Sequence, residues 1–225
     1  MTSGKTGAKG GKNDKYVKII DAAIKVFAKN GFFHSKVAEI AKEAGVADGT
    51  IYLYFKNKDD ILIQLFENKM EEIIANIRED FTRIQNPLAR LRRLVHIHFE
   101  IVRENADLAA VITVELRQST KFMKEYKNEK FQEYLQIIAK IIKDGKDMGM
   151  IRPGINPAVI KRGFFGMLDE LMLYCVLSER TKSEEISKLA DSVSDVLIRG
   201  IANNPDEAVT LSRAEILTNN GKEVA

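Results

Sequence analysis

The sequence predicts an all-α protein of about nine helices, with a small three-helix head followed by a larger helical body. Three observations carry that expectation. Apolar residues recur every three or four positions through most of the 225 residues. Between positions 35 and 60, two short apolar-faced segments meet at a glycine and are followed at once by another helix start. Asn86-Pro87 and Asn156-Pro157 punctuate the remainder as cap-then-proline signals. With 45% apolar residues the chain has ample material for a buried core, and its length suits one small and one medium domain.

From Ser35 onward, Val37, Ile40, Ala41 and Ala44 recur at helical intervals. A short helix with Ser35 as N-cap would bury that stripe and expose Lys36, Glu39, Lys42 and Glu43. Gly45 is expected to end it, because glycine takes a left-handed conformation cheaply and Val46 can turn back onto the helix. Asp48 reads as the cap of a second helix through Phe55. On it Ile51 and Phe55 point inward, while Thr50, Tyr52 and Tyr54 stay outside as hydroxyl donors. So short a β-branched and aromatic helix is poor in isolation and needs its neighbours. Asn57, with Asp59 and Asp60 in the first turn, starts a third helix whose amides, together with Lys58, suit a phosphate. This is the sequence form of a helix-turn-helix, which sets side chains of its second helix against base edges and hydroxyls on phosphates. An ordinary helix pair with Tyr52, Tyr54 and Phe55 as core is the plainer reading of the same spacing.

Segment 16–66 resembles the N-terminal DNA-binding domain of TetR-type transcriptional regulators. The resemblance lies in IIDAAIKVFAKNGF as first helix, IAKEAGV at the turn, GTIYLYF as recognition helix and KDDI opening a fourth helix. It implies DNA contacts from Ser35, Lys36, Thr50, Tyr52, Tyr54 and Lys58, with Tyr54 and Lys58 on phosphates and Thr50 and Tyr52 nearer the bases. It also implies a homodimer on double-stranded operator DNA, with half-sites spaced by the dimer's two-fold axis.

Charge agrees with such a head. The first 58 residues hold 11 lysines against 5 acidic residues, and the remainder 24 basic against 27 acidic. A positive field concentrated in one region suits a polyanion and makes affinity fall with salt, because each neutralised phosphate releases counterions. Residues 1–14, rich in Gly and Lys and without apolar periodicity, are expected to be a disordered basic arm. Gly4-Lys5-Thr6 lacks the upstream glycine, strand and helix of a P-loop, so that reading is excluded. The chain opens without an apolar signal region and holds no apolar run long enough to span a bilayer, so a cytoplasmic protein is expected. Cys175, the one cysteine, excludes an intrachain disulfide and reads as core.

Beyond Lys58, the stripe Ile61, Leu62, Leu65, Phe66, Met70, Ile73, Ile74, Ile77 and Phe81 gives a long fourth helix running from head to body. Asn86-Pro87 opens a fifth, through Leu91, Leu94, Val95, Phe99 and Val102 to Asn105. Positions 107–117 make a short sixth. Phe122, Tyr126, Phe131, Tyr134, Leu135, Ile138, Ile141 and Ile142 read as one seventh helix, ended by DGKDMGMIRPG. Asn156-Pro157 opens a nearly all-apolar eighth, and Ser183 with Ile186, Leu189, Val193, Val196, Leu197 and Ile201 forms a ninth. The expected divisions are the arm 1–14, the head 15–58, a ligand-binding and dimerisation domain 59–203, and a tail 204–225. In that tail Asn204-Pro205-Asp206 allows another helix, but its thin apolar content leaves it unassigned.

A helix apolar all round needs cover on every side. Helices eight and nine are therefore expected to dimerise, with Gly163 and Gly166 allowing close approach and Tyr174, Val193 and Leu197 in the interface. The TetR-type resemblance implies the same pair, and an internal core helix with incidental glycines is the alternative. Catalysis has no positive support. His96 and His98 face different sides of one helix without a Glu-x-x-His pair or paired cysteines, so no metal site is expected, and neither a nucleophile elbow nor a dinucleotide loop appears. A binding cavity fits better. Asp169 and Glu170 interrupt the apolar eighth helix and need partners if buried. Arg117 and Gln118 set a cation and an amide beside Leu108, Val111, Ile112, Leu116, Phe164, Met167, Leu168 and Leu171. An aliphatic tunnel with a basic mouth suits a long apolar ligand bearing an anionic head; ordinary core plus surface charge is the plainer reading.

ELRQS, FGMLDE and the stretch 163–174, taken with the head, resemble the fatty-acid-degradation repressors of the TetR type. That resemblance implies long-chain acyl-CoA as effector and no other cofactor. The acyl chain would lie among helices five to eight, with CoA phosphates at Arg117, and binding would tilt helix four and release DNA. A TetR-like multidrug or small-aromatic sensor would lack the phosphate-binding mouth. From a different class, an acyl-CoA-binding carrier or enzyme would carry the helix-turn-helix incidentally. A membrane role for the basic arm is disfavoured by its lack of apolar side chains.

Overall fold

The computed structural model describes residues 7–178 and 183–220. Among the described residues there are eleven α-helices: α1 (Gly7–Asn30), α2 (Val37–Ala44), α3 (Asp48–Ile51), α4 (Lys58–Arg83), α5 (Pro87–Glu104), α6 (Ala106–Thr113), α7 (Thr120–Lys124), α8 (Glu129–Asp147), α9 (Pro157–Leu177), α10 (Ser183–Ile201) and α11 (Pro205–Asn220). A 3-10 turn, Glu115–Gln118, separates α6 from α7. The all-α expectation holds, and among the described residues β pairing is limited to one isolated bridge between Ile151 and Ala202. Two compact units result: Met1–Lys69 with Asp107–Lys127, and Met70–Ala106 with Asn128–Ala225. The first unit thus takes in α6, the 3-10 turn and α7 as well as the expected head, and the division falls inside α4 rather than at position 58.

The core of the first unit is built from Ile19, Ile20, Ala23 and Phe27 of α1, Ile40 and Ala41 of α2, and Ile51 and Phe55, each 2% exposed or less. Gly45 adopts φ 66°, and the Val46 N–H reaches the Ala41 carbonyl at 3.0 Å, which closes α2 as expected. The caps differ from the expectation. Lys36, not Ser35, occupies the N-cap of α2, and its N–H donates to the Glu39 carboxylate at 2.8 Å. Ser35 faces inward instead, its hydroxyl donating to the carbonyls of Gly31 (2.6 Å) and Val26 (3.2 Å). Asp48 is the first residue of α3 behind Ala47 and makes no side-chain cap. The helix expected through Phe55 stops at Ile51, and residues 52–54 continue as a turn. Low helix propensity explains this, since Tyr52, Tyr54 and Phe55 lose rotamer freedom in a helix and no packing demands more than one turn.

Residues 1–6 of the expected basic arm lie outside the described residues. Residues 7–14, expected to be disordered, continue α1. Once the packed turns after Tyr16 have nucleated a helix, each further residue adds a hydrogen bond at little cost.

In the second unit, Asn86 and Asn156 cap as expected, accepting from Leu88 N–H at 2.8 Å and Ala158 N–H at 2.9 Å. The single seventh helix is not formed. It divides into α7 and α8, with Asn128 capping α8 by accepting from Phe131 N–H at 3.1 Å. The apolar stripe loses phase between Tyr126 and Phe131, and the two halves belong to different units: Phe122 packs edge-on against Phe66 at 5.1 Å in the first, while Tyr134 and Leu135 are core of the second. The unassigned tail is a helix through residue 220, which buries Ala208 and Val209 and is tied down by polar bonds as well. Glu215 accepts from Gln85 N–H at 2.6 Å, and Arg92, 1% exposed, donates to Ser212 at 3.1 Å and to Asp195 at 2.6 Å. Residues 221–225 lie outside the described residues.

Glu170 is exposed, so the expected pair of buried carboxylates is not there, and Asp169 is half-buried. Cys175 is core as read. His98 is 7% exposed, donating from Nδ1 to the Leu94 carbonyl (2.8 Å) and accepting from the Tyr134 hydroxyl at Nε2 (3.0 Å). Burial pushes it down to about 4, against the opposing backbone hydrogen bond, and burial also raises the Tyr134 hydroxyl. His96 sits half-buried with Nε2 3.2 Å from Asp191.

Two measurements check these contacts. Arg92→Ala removes a buried guanidinium joining α5, α10 and α11 and is expected to cost about 3 kcal/mol in urea unfolding, with Arg92→Met losing less. The unfolded chain protonates His98 near its ordinary value of about 6.5, whereas the folded chain resists until about pH 4. Between those values the unfolded state binds the extra proton, so stability drops as pH falls through that window. His98→Gln is expected to lose about 2 kcal/mol less than the wild type between pH 7 and 4.5.

Candidate nucleic-acid interface

The recognition element is short because its neighbours hold it from behind. Ile51 and Phe55 are sunk in the core as expected, and Phe55 stacks on Tyr16 at 5.4 Å. After Ile51 the backbone turns, with Leu53 N–H bonded to Thr50 O at 3.2 Å and Tyr54 N–H to Ile51 O at 3.0 Å. Two consecutive side chains therefore face solvent: Tyr52 at 60% and Leu53 at 75% exposure. Leu53 is not among the sequence-derived contact residues, although a helix with Ile51 and Phe55 inward also turns position 53 outward. Lys36 is exposed, Thr50 half-buried, and Tyr54 half-buried with its ring 6.3 Å from that of Tyr16.

Two of the six sequence-derived contact residues have other work. Ser35 is 3% exposed, its hydroxyl spent on the turn. Lys58, the first residue of α4, donates to three carbonyls, Phe32 (2.6 Å), Phe33 (2.9 Å) and Ser35 (3.1 Å), and lies 4.6 Å from the centroid of the Phe32 ring. An ammonium has three donors, and here all three are used within the protein. Lys58 therefore holds the α1–α2 turn in the DNA-free protein. The turn is held from its other side by Glu115, 8% exposed, whose Oε2 accepts from Phe32 N–H at 2.6 Å. Gly31, at φ 74°, makes the turn possible. Asn57 caps α4 as expected, accepting from Asp60 N–H at 2.9 Å.

The expected effector residues fall into two sets. In the first unit Leu108, Val111 and Leu116 are buried, Ile112 and Gln118 half-buried, and Arg117 exposed. In the second unit Phe164 and Leu168 are buried and Leu171 half-buried, while Met167 is 36% exposed on the outer face of α9. That face, with α10, forms an apolar depression of about 410 Å³ lined by Met167, Leu171, Leu189, Val193 and Val196. Tyr174, Leu177 and Val196 stand exposed there at 48%, 71% and 60%. Gly163 and Gly166 have open space where a Cβ would stand. On α10, Val193 lines the depression although only 6% exposed, and Leu197 is half-buried. The sequence also gave no sign of a groove of about 470 Å³ floored by Ile77, Phe81, Ile137 and Ile141, whose rim cations Arg78 and Lys140 pair with Glu133 (2.8 Å) and Asp144 (2.9 Å).

Residues 19–65 match the family described as bacterial regulatory proteins, tetR family, and residues 66–200 match the YsiA-like protein, C-terminal region. The chain belongs to the TetR family. It is a helix-turn-helix DNA-binding regulator, and its relatives are regulators too. The fatty acid metabolism regulator protein of Bacillus subtilis is 40% identical over 192 residues, covering 85% of this chain and 98% of that protein. A crystal structure of FadR from Bacillus subtilis in complex with stearoyl-CoA is similar at 39% identity and a TM-score of 0.77, covering 83% of this chain and 99% of that one. The fatty acid degradation regulator FadR from Bacillus halodurans gives 35% and 0.76, covering 81% and 97%. Among the described residues no helix is long and apolar enough to cross a membrane, and no group of three potential ligands is placed to hold a metal.

The role of Lys58 in this TetR-family head is open to a direct check. Lys58→Met is expected to lower thermal stability by about 2 kcal/mol in the absence of DNA, because three carbonyls lose a charged donor. A residue serving phosphate alone would leave DNA-free stability unchanged.

Proposed function

We propose that the protein is a transcriptional repressor that binds operator DNA as a homodimer, is released by long-chain acyl-CoA and controls fatty-acid-degradation genes in the cytoplasm. The observation that carries this reading is likeness over nearly the full length of FadR, solved with stearoyl-CoA. Lys36, Thr50, Tyr52 and Tyr54, joined by exposed Leu53, are the groups offered to DNA. Ser35 and Lys58 act through the turn they hold. In the first unit, buried Leu108, Val111 and Leu116 suit an acyl chain, and exposed Arg117 beside Gln118 suits a CoA phosphate. The apolar depression between α9 and α10, lined by Met167, Leu171, Val193 and Val196, supports dimerisation through that pair, with exposed Tyr174 and Leu177 further along α9.

Fluorescence anisotropy of the protein on DNA from its own promoter region, at fixed salt, tests the reading. Binding lost on adding long-chain acyl-CoA, but not free CoA or fatty acid, is the expected result. Release by CoA-free aromatic compounds instead would point to the small-aromatic sensor. Val196→Asp places a charge on a surface position of the subunit, so it is expected to leave the fold intact while shifting sedimentation toward monomer and weakening operator binding at least about tenfold.

A further inference from the structure

At 75% exposure Leu53 is the most exposed large apolar side chain among the described residues, and it stands at the tip of the recognition element beside Tyr52. Nothing in the fold covers it. The backbone there turns by i to i−3 bonds, Leu53 N–H on Thr50 O at 3.2 Å and Tyr54 N–H on Ile51 O at 3.0 Å. Such bonds set side chains three positions apart on one side of the turn. Leu53 therefore shares its side with Thr50, while Ile51 and Phe55, 0% and 2% exposed, fix the opposite side in the core. Single exposed leucines are common on protein surfaces. This one lies in the segment that a helix-turn-helix sets against base edges, where its lack of any polar atom restricts what it can meet.

We infer that Leu53 is a specificity-determining residue that selects a thymine in each half-site through the C5-methyl group. The inference rests on the reading of residues 50–54 as groups offered to DNA. In the major groove adenine, guanine and cytosine show only donors and acceptors, and thymine adds a methyl group. A leucine pressed on a polar edge strips its water and returns no hydrogen bond, which is unfavourable. Against thymine the same leucine buries a methyl and is favourable. Thr50, three residues earlier and about 6 Å away along the turn, places its hydroxyl about two base steps from that thymine. Leu53 carries no charge, so it contributes discrimination between sequences and leaves the phosphate contacts, and with them the salt dependence, unchanged.

Footprinting on DNA from the protein's own promoter region locates the bound segment, and synthetic duplexes then replace its thymines by uracil one symmetric pair at a time. Uracil keeps the pairing and the O4 acceptor and lacks only the methyl. For the wild type, one symmetric pair of replacements is expected to weaken binding about 15-fold in anisotropy, about fourfold for each half-site methyl. L53A is expected to bind the unmodified duplex at least as weakly as that and to ignore the same replacements, with an unchanged slope of affinity against salt. L53M, which keeps an apolar side chain, is expected to retain most of the uracil response. The exposed position leaves folding intact in both variants, which matching melting temperatures without DNA check. If L53A binds within about twofold of wild type, or if the two proteins respond alike to every replacement, the thymine assignment is overturned and the repressor reading stands. A wild type that binds no segment of the promoter DNA overturns that reading and this inference with it.

Discussion

The α1–α2 turn, residues 31–35, is held between two opposite charges. Glu115 takes its amide and Lys58 takes three of its carbonyls. A polar turn placed under a helical head has no ladder to satisfy its backbone, and unsatisfied buried groups are expensive. Ionised side chains solve that with strong, directional bonds. The residues proposed to meet DNA follow in the chain. Lys36 caps α2, Gly45 turns it, and a one-turn α3 presents Thr50, Tyr52 and Leu53. A recognition element this short has little stability of its own, so its orientation is inherited from the turn and from Ile51 and Phe55 in the core.

The second unit is organised differently. Its core is apolar, but its tail is fixed by a buried guanidinium, with Arg92 joining α5 to α10 and α11. Its α9 carries apolar residues on both faces. Phe164, Leu168, Met172 and Cys175 repeat along its inner face, while Met167, Tyr174 and Leu177 remain outside. A surface helix of a monomer has no physical reason to keep the outer set apolar, and two such helices packed across a two-fold axis do. The outer apolar face of α9 and the clamped turn thus lie in separate parts of the chain.

Much of this was legible in the residue order. Helical periodicity located most of the helices, and Asn86-Pro87, Asn156-Pro157 and Gly45 marked their ends because caps and left-handed glycines are local chemistry. What was not legible is long-range. The Ser35 hydroxyl finds Gly31 and Val26 rather than α2, and Lys58 finds carbonyls more than twenty positions earlier. The 107–127 segment joins the head because Glu115, Ser119 and Tyr126 bond to Phe32, Asp59 and Glu67, and none of these pairs shares a helix face. The tail was missed because its apolar anchors are few, Ala208 and Val209, and the rest are polar groups such as Ser212 and Glu215 that a search for apolar stripes passes over. The break between α7 and α8, by contrast, was visible as the five-residue step from Tyr126 to Phe131.

The central claim is that the charged clamp holds the α1–α2 turn on which the DNA-binding head depends. Amide hydrogen exchange over residues 32–36, compared in the DNA-free wild type and Lys58→Met, addresses it most directly. The account predicts protection in the wild type and a loss of it in Lys58→Met. Equal protection in both would contradict it.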